Sequence, residues 1–358
     1  MPIADVARRR LQNERLIGAP FEKPEDVVQW LGAVQAQDYP GAKWGIGQRA
    51  KDCVDATVEQ AYTSGKILRT HVMRPTWHFV MPADIRWMLD LSAPRVKATM
   101  ATYDRQLELD SNVYKRTNAA IVKALEGGAH LTRTELGDAL EAAGIAAGGR
   151  RLAHIVHRAE IEALICSGEL KGKQHTYALV DKRAPGAKTL PRDEALAELT
   201  RRYFTSHGPA LAQDFAWWSG LTVADAKAGL EMASRHLLHE VIEGKTYWFS
   251  PSPATAGLKD PTVHLLPNYD EYLIAYRDHS ATLGESLPSG ATALYDMLSR
   301  HIAVLNGRVI GGWRSTTKKG EVSIALNLPV PLSGSQKEAL HTAAERYGRF
   351  LGMTVTVD

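Results

Sequence analysis

Gly172-Lys173-Gln174-His175-Thr176-Tyr177 and, further along, Gly244-Lys245-Thr246-Tyr247 are two short echoes of one pattern. Each places a glycine turn between extended runs, and each follows a set of three amphipathic helices. Self-similarity of this kind is the first thing to read in a chain of this length. Upstream of the first echo, Ala119–Leu125 reads as a helix. Thr132-Arg133-Thr134-Glu135 opens a second with a capping box, and Arg150–Ile165 forms a third after the Gly148-Gly149 break. Two strands should follow, Leu170–Lys173 and His175–Val180. Upstream of the second echo, helices over Asp193–Ser206, Ala210–Ser219 and Thr222–Ser234 lead to strands Leu238–Glu243 and Thr246–Phe249. Three helices and a β-hairpin make a winged helix.

A looser first copy precedes these. Ile3–Ile17 alternates an apolar side (Ile3, Val6, Leu11, Leu16) with Arg8, Arg9, Arg10 and Arg15. Lys23-Pro24-Glu25-Asp26 starts a helix with proline and acids in its first turn, and its apolar face is expected to run through Val34 into Gln35. Short helices over Gly41–Arg49 and Val58–Tyr62 follow. Ile67–Val72 and Trp77–Val80 should then form a hairpin across Met73-Arg74-Pro75-Thr76. Beyond Pro251, Asn306-Gly307 is a strong two-residue hairpin turn within a strand-rich region whose last helix is expected over Gly334–Phe350, with Thr354–Val357 closing as a strand. The expected fold is therefore α+β: three tandem winged-helix units followed by a β-rich C-terminal domain with helical insertions. The segments are 1–82, a helical connector at 83–114, then 115–184, 190–252 and 258–358.

Composition narrows the class. Of 358 residues, 44% are hydrophobic and 23% charged, as in ordinary globular chains. Net charge is +3, so location matters more than total. No apolar run reaches a membrane span, the polar N-terminus lacks a secretory h-region, and Cys53 and Cys166 form no disulfide framework. An intracellular, soluble protein is expected, and a monomer. His154/His157 and His236/His239 are spaced three apart, but neither pair has a third ligand at a recognised spacing. No metal and no cofactor are expected.

Winged helices commonly dock on duplex DNA, with a helix in the major groove and the wing on the backbone. Basic residues fall where such contacts would be made. Arg150, Arg151 and Arg158 lie on one recognition helix and Lys171 and Lys173 on its wing. Arg8 and Arg9 lie on the first helix, and Arg314, Lys318 and Lys319 on a strand pair with a polar tip. These clusters point to phosphate contacts.

The chemistry points to Trp30-Leu31-Gly32-Ala33-Val34-Gln35-Ala36-Gln37-Asp38-Tyr39-Pro40. On a regular helix, side chains at i and i+2 diverge by about 200°. Gln35 and Gln37 can then converge only if the helix ends between them, and Asp38-Tyr39-Pro40 is read as that ending. Both amides should open onto one cleft. Arg74-Pro75-Thr76-Trp77-His78 could supply facing groups, Thr76 and His78 among them. Asp270 and Glu271, adjacent in an expected extended run, should face opposite ways, so one of them positions rather than reacts.

Gln35-Ala36-Gln37-Asp38, Arg74-Pro75-Thr76-Trp77-His78, Leu266-Pro267-Asn268-Tyr269-Asp270-Glu271-Tyr272-Leu273 and Gly307–Arg314 together resemble the tandem winged-helix DNA glycosylases of the AlkZ-like and YcaQ-like kind. The resemblance runs from about Leu11 to Trp313. The Gln-apolar-Gln triplet is similar to the AlkZ-like branch, whereas the other branch carries Gln-apolar-Asp. One departure is His279, where the family tends to carry a second arginine. The resemblance implies a monofunctional glycosylase that releases N-alkylpurines such as N7-alkylguanine from duplex DNA and unhooks interstrand crosslinks. Gln35 and Gln37 would be catalytic, with Asp38, Thr76, His78 and Asp270 in support and Arg74 among the DNA contacts. The rival reading is a non-enzymatic winged-helix DNA-binding protein or transcription regulator, in which the glutamines merely cap a helix.

Overall fold

The computed structural model describes residues 2–251, 261–284 and 291–358. The chain divides into two compact units. One comprises Met1–Glu59, Ala197–Trp218 and Thr222–Asp358, the other Gln60–Leu196 and Ser219–Leu221. This grouping is coarser than the five expected segments, and the expected break between 252 and 258 falls largely outside the described residues.

In the Gln60–Leu196 unit, strands Leu68–His71 and Trp77–Val80 pair antiparallel from Leu68↔Val80 to His71↔Trp77. A 22-residue helix, Ile85–Gln106, follows the hairpin. Helix Ser111–Ala124 is capped by Asp110, whose side chain accepts from the Val113 amide. Helix Arg133–Ala142 opens with the expected capping box, Thr132 and Glu135 satisfying each other's backbone donors. Helix Gly149–Ile161 completes the set. Leu136, Leu140, Ile155, Val156 and Ile165 meet Tyr114 and Ile121 in one apolar core.

The strand expected at Leu170–Lys173 is absent. Strand Ile165–Ser167 instead pairs with Thr176–Leu179, which also pairs with Leu131–Thr132. Ile165, Cys166 and Ser167 are all buried, whereas Glu169 to Gln174 form a largely exposed turn. The first strand of the wing therefore lies on the three consecutive buried residues, upstream of the run expected.

In the other unit, helix Val223–Ala233, together with most of helices Arg192–Ser206 and Ala212–Ser219, precedes a hairpin of Leu238–Ile242 and Lys245–Phe249. Its turn is Glu243-Gly244, both at positive φ, one residue earlier than expected. A five-stranded sheet runs in the spatial order Thr354–Val357, Glu321–Asn327, Arg308–Lys318, Ile302–Leu305, Val263–Leu266. All its pairs are antiparallel except that of the terminal strand with Glu321–Asn327. Asn306-Gly307, with φ of +49° and +90°, makes the tight turn between its inner strands. Helix Gly334–Leu351 lays Leu340, Ala344 and Phe350 into the core. No helix among the described residues is long and apolar enough to cross a membrane.

Candidate active site

The helix before the glutamines stops earlier than expected. It spans Pro24–Leu31 and ends at Gly32, whose φ of +81° an L side chain rarely adopts. Ala33–Gln35 is a strand, fully buried. The expectation that the helix reaches Gln35 and is broken by Tyr39-Pro40 is corrected on both counts. Gly32 breaks it, and Pro40 lies in the first turn of the next helix, Tyr39–Gly47, where a missing N–H costs nothing. Gln35 is the last residue of that strand, and Gln37 lies in the bend that leads into the next helix.

The two amides are unequal. Gln37 is exposed, while Gln35 is only 6% exposed, so of the two amides expected to open onto one cleft only Gln37 lies at the surface. Yet Gln35 is not a satisfied core amide. Its Oε1 is buried and makes no hydrogen bond among the described residues. Leaving such an acceptor unpaired costs about 1–3 kcal/mol.

Asp38 is half-buried and precedes the Tyr39–Gly47 helix without capping it through its side chain. Around it gather groups from the sheet side of the same unit. A Cβ on Gly41 would lie 2.7 Å from Asp38 Oδ2 and 3.1 Å from Asn268 Oδ1, so residue 41 has room only for hydrogen. Asn268 donates its backbone N–H to His301 Nδ1 at 2.9 Å, which leaves the ring proton of the neutral imidazole on Nε2. His301 stacks on Trp313, with centroids 4.8 Å apart. Burial holds its pKa below the ordinary range against the pull of Asp38.

Asp270 and Glu271 are not on a strand. Strand Val263–Leu266 ends, Tyr269 turns at positive φ, and Asp270 caps the short helix Glu271–Ile274 through the Tyr272 amide. Asp270 is buried and accepts from Arg49 Nη1 and Nη2 at 2.9 and 2.8 Å. Arg49 also donates to Glu14 Oε2, to the Glu14 carbonyl and to the Gly45 carbonyl. Asp270 is thereby occupied inside the protein, where it anchors a helix end. Burial pushes the Glu14 carboxyl up to about 7, with His207 and Arg49 opposing. Glu271, 1% exposed, accepts the Gln35 backbone N–H at 2.7 Å and the Trp218 indole N–H at 2.9 Å. The acid pair was visible in the sequence. Glu14, Arg49 and Trp218, far apart along the chain, gave no signal.

In the Gln60–Leu196 unit, Thr76 is half-buried and His78 fully buried, with His78 Nδ1 3.0 Å from the Thr76 carbonyl. Arg74 is half-buried in the same turn. Arg150 and Lys173 are exposed, and exposed Lys171 pairs with Glu135. Arg151 and Arg158 depart from expectation. Arg151 donates to the carbonyls of Ala146 and Leu107, and Arg158 pairs with Glu162 at 2.7 Å and lies over the Tyr114 ring. Both are half-buried and make internal ties.

In the other unit, Arg8 and Arg9 are half-buried, Arg9 over the Phe249 ring. Arg314, Lys318 and Lys319 are exposed along the hairpin that turns at Lys319-Gly320. His279 is buried, and burial lowers its pKa to about 4. Neutral and enclosed, it does not stand in for a surface arginine. Among the described residues, no group of three or more His, Cys, Asp or Glu side chains is arranged to hold a metal ion.

Comparison with known proteins gives three consistent matches. The family model described as DNA glycosylase AlkZ-like matches residues 28–350. An interstrand DNA cross-link repair glycosylase of Streptomyces sahachiroi is 23% identical over 356 residues, spanning 93% of this chain and 94% of that protein. The structure of the Streptomyces sahachiroi DNA glycosylase AlkZ superposes with a TM-score of 0.78 at 20% identity, over the full length of both chains. At that identity the superposition speaks for the fold.

Proposed function

This chain belongs to the AlkZ-like DNA glycosylases, hydrolases of N-glycosyl bonds, and on that premise we propose that its substrates are N-alkylpurines such as N7-alkylguanine in duplex DNA, interstrand crosslinks included. The crosslink part draws support from the name of the curated relative. An N7-alkylguanine is cationic, so its glycosidic bond is weakened and the base leaves without a general acid. What remains is to hold a water beside C1′ and to steady an oxocarbenium-like state. Gln35 and Gln37 do the first by accepting the water's hydrogen bonds through their carbonyl oxygens, which orients it without strong basicity. The observation that carries this reading is the buried, unbonded Oε1 of Gln35 beside exposed Gln37. Asp38, the next carboxylate along the chain, steadies the positive sugar.

We read the helix-and-hairpin sets as three winged helices that bind the duplex as a monomer, with no cofactor. Arg8, Arg9, Arg74, Arg150, Lys171 and Lys173 contact phosphates, and the hairpin bearing Arg314, Lys318 and Lys319 presses into a groove. A crosslinked base cannot be swallowed by a closed pocket, so an open cleft suits this substrate better than full extrusion. Family membership sets aside the regulator reading.

The test is incubation with methylated duplex DNA. Free N7-methylguanine should appear together with abasic sites that break in hot alkali. Tight DNA retention with no free base would overturn the substrate assignment.

A further inference from the structure

Two adjacent acids hold the two flanks of the segment that carries Gln35, Gln37 and Asp38. On the far flank, Asp270 grips Arg49, which in turn holds the Gly45 carbonyl near the end of the Tyr39–Gly47 helix. The same helix is pinned by Trp44, whose indole N–H donates to the Leu265 carbonyl at 2.7 Å. On the near flank, Glu271 Oε1 takes the backbone N–H of Gln35 itself at 2.7 Å. Its other oxygen takes the Trp218 indole N–H at 2.9 Å and lies 3.5 Å from His207 Nε2. Trp218 is fully buried, and its ring edge sits 3.6 Å from where a Cβ on Gly32 would be, against the residue that ends the preceding helix.

We infer that Glu271 is a positioning residue for glycosidic-bond hydrolysis, acting through the backbone of Gln35. The inference rests on the reading of Gln35 as a water-orienting group. A carboxylate as enclosed as that of Glu271 is costly unless its oxygens are well bonded. A charge-assisted bond to an amide is short and directional. Here that bond goes to a residue whose own side-chain acceptor is left unpaired, at the last position of its strand. Fixing the Gln35 N–H fixes its Cα and hence the origin of the side chain. Displacements of about 1 Å can cost about 10²-fold in rate.

The substitution Glu271→Gln separates this role from bulk stability. Its shape is kept, but one amide oxygen must serve two donors, the Gln35 and Trp218 N–H groups, and the new NH2 faces whichever it fails. Trp218→Phe removes the second donor. Single-turnover release of N7-methylguanine is measured at saturating enzyme, at a temperature where near-ultraviolet circular dichroism shows each variant folded. Glu271→Gln is expected to slow release by about 10²-fold with DNA affinity unchanged. The Glu271→Gln/Trp218→Phe pair is expected to run within a few-fold of Trp218→Phe alone. In a Gln35→Ala background, Glu271→Gln should add almost nothing, since coupled residues are non-additive.

A wild-type rate for Glu271→Gln, or full additivity with Gln35→Ala, overturns the inference. So does a folded double variant no faster than Glu271→Gln. If Gln35→Ala alone keeps the wild-type rate, it is the water-orienting reading of Gln35 that fails, whatever Glu271 does.

Discussion

Arg49 is fully buried, and every donor of its guanidinium is used: on Asp270, on the Glu14 side chain, and on the carbonyls of Glu14 and Gly45. Removing one member of such a cluster leaves the others charged and unpaired, at a cost of about 3–5 kcal/mol. Arg49→Met is expected to lose stability on that scale in urea unfolding. Glu14 adds a pH dependence. Its folded-state pKa of about 7 lies above the ordinary 4.5. Between these values the folded protein holds a proton that the unfolded chain has released. Stability therefore falls as pH rises from about 4.5 to 7. Glu14→Gln should flatten the denaturation midpoint across that window; an unchanged slope would show that Glu14 does not titrate there. Asp270 was visible in the sequence as one of an acid pair, but the cluster was not, because only the tertiary fold brings Glu14 and Arg49 to it. Gln35 and Gln37 were legible because paired neutral amides in an apolar run are unusual on either surface or core.

At the scale of the element, Gly32 decides how those glutamines are displayed. Its φ of +81° ends one helix and lets Ala33–Gln35 run as a strand. A Cβ there would meet only an ordinary contact with Trp218, so Gly32→Ala tests backbone strain alone. A loss of about 1–2 kcal/mol of stability, measured by urea unfolding, is expected. The sequence did not reveal this break, since Val27, Val28, Leu31 and Val34 suit a helical face and the short strand equally. Elements with chemical end signals fared better. Thr132-Glu135 forms its capping box, and Asn306-Gly307 forms its turn. Thr132→Ala should cost about 1 kcal/mol of stability, measured the same way. Where no such end signal was available, as at Leu170–Lys173, the strand lies instead at the buried Ile165–Ser167.

For the molecule as a whole, basic composition was a guide to partner class but not to which side chains face DNA. Arg151 and Arg158 resembled contact residues and are internal ties; Arg314, Lys318 and Lys319 remain exposed on one long hairpin. Replacing these three with alanine should weaken binding to all duplex sequences alike. The slope of affinity against salt, both on logarithmic scales, should become shallower by about 0.9 for each phosphate no longer neutralised. A binding isotherm series over salt measures this, and an unchanged slope would remove the hairpin from the interface. Whether two amides orient the attacking water is tested most directly by single-turnover release of N7-methylguanine by Gln35→Ala and Gln37→Ala. The expected result is a loss of about 10²-fold in each with duplex affinity retained; both variants releasing base at the wild-type rate would contradict it.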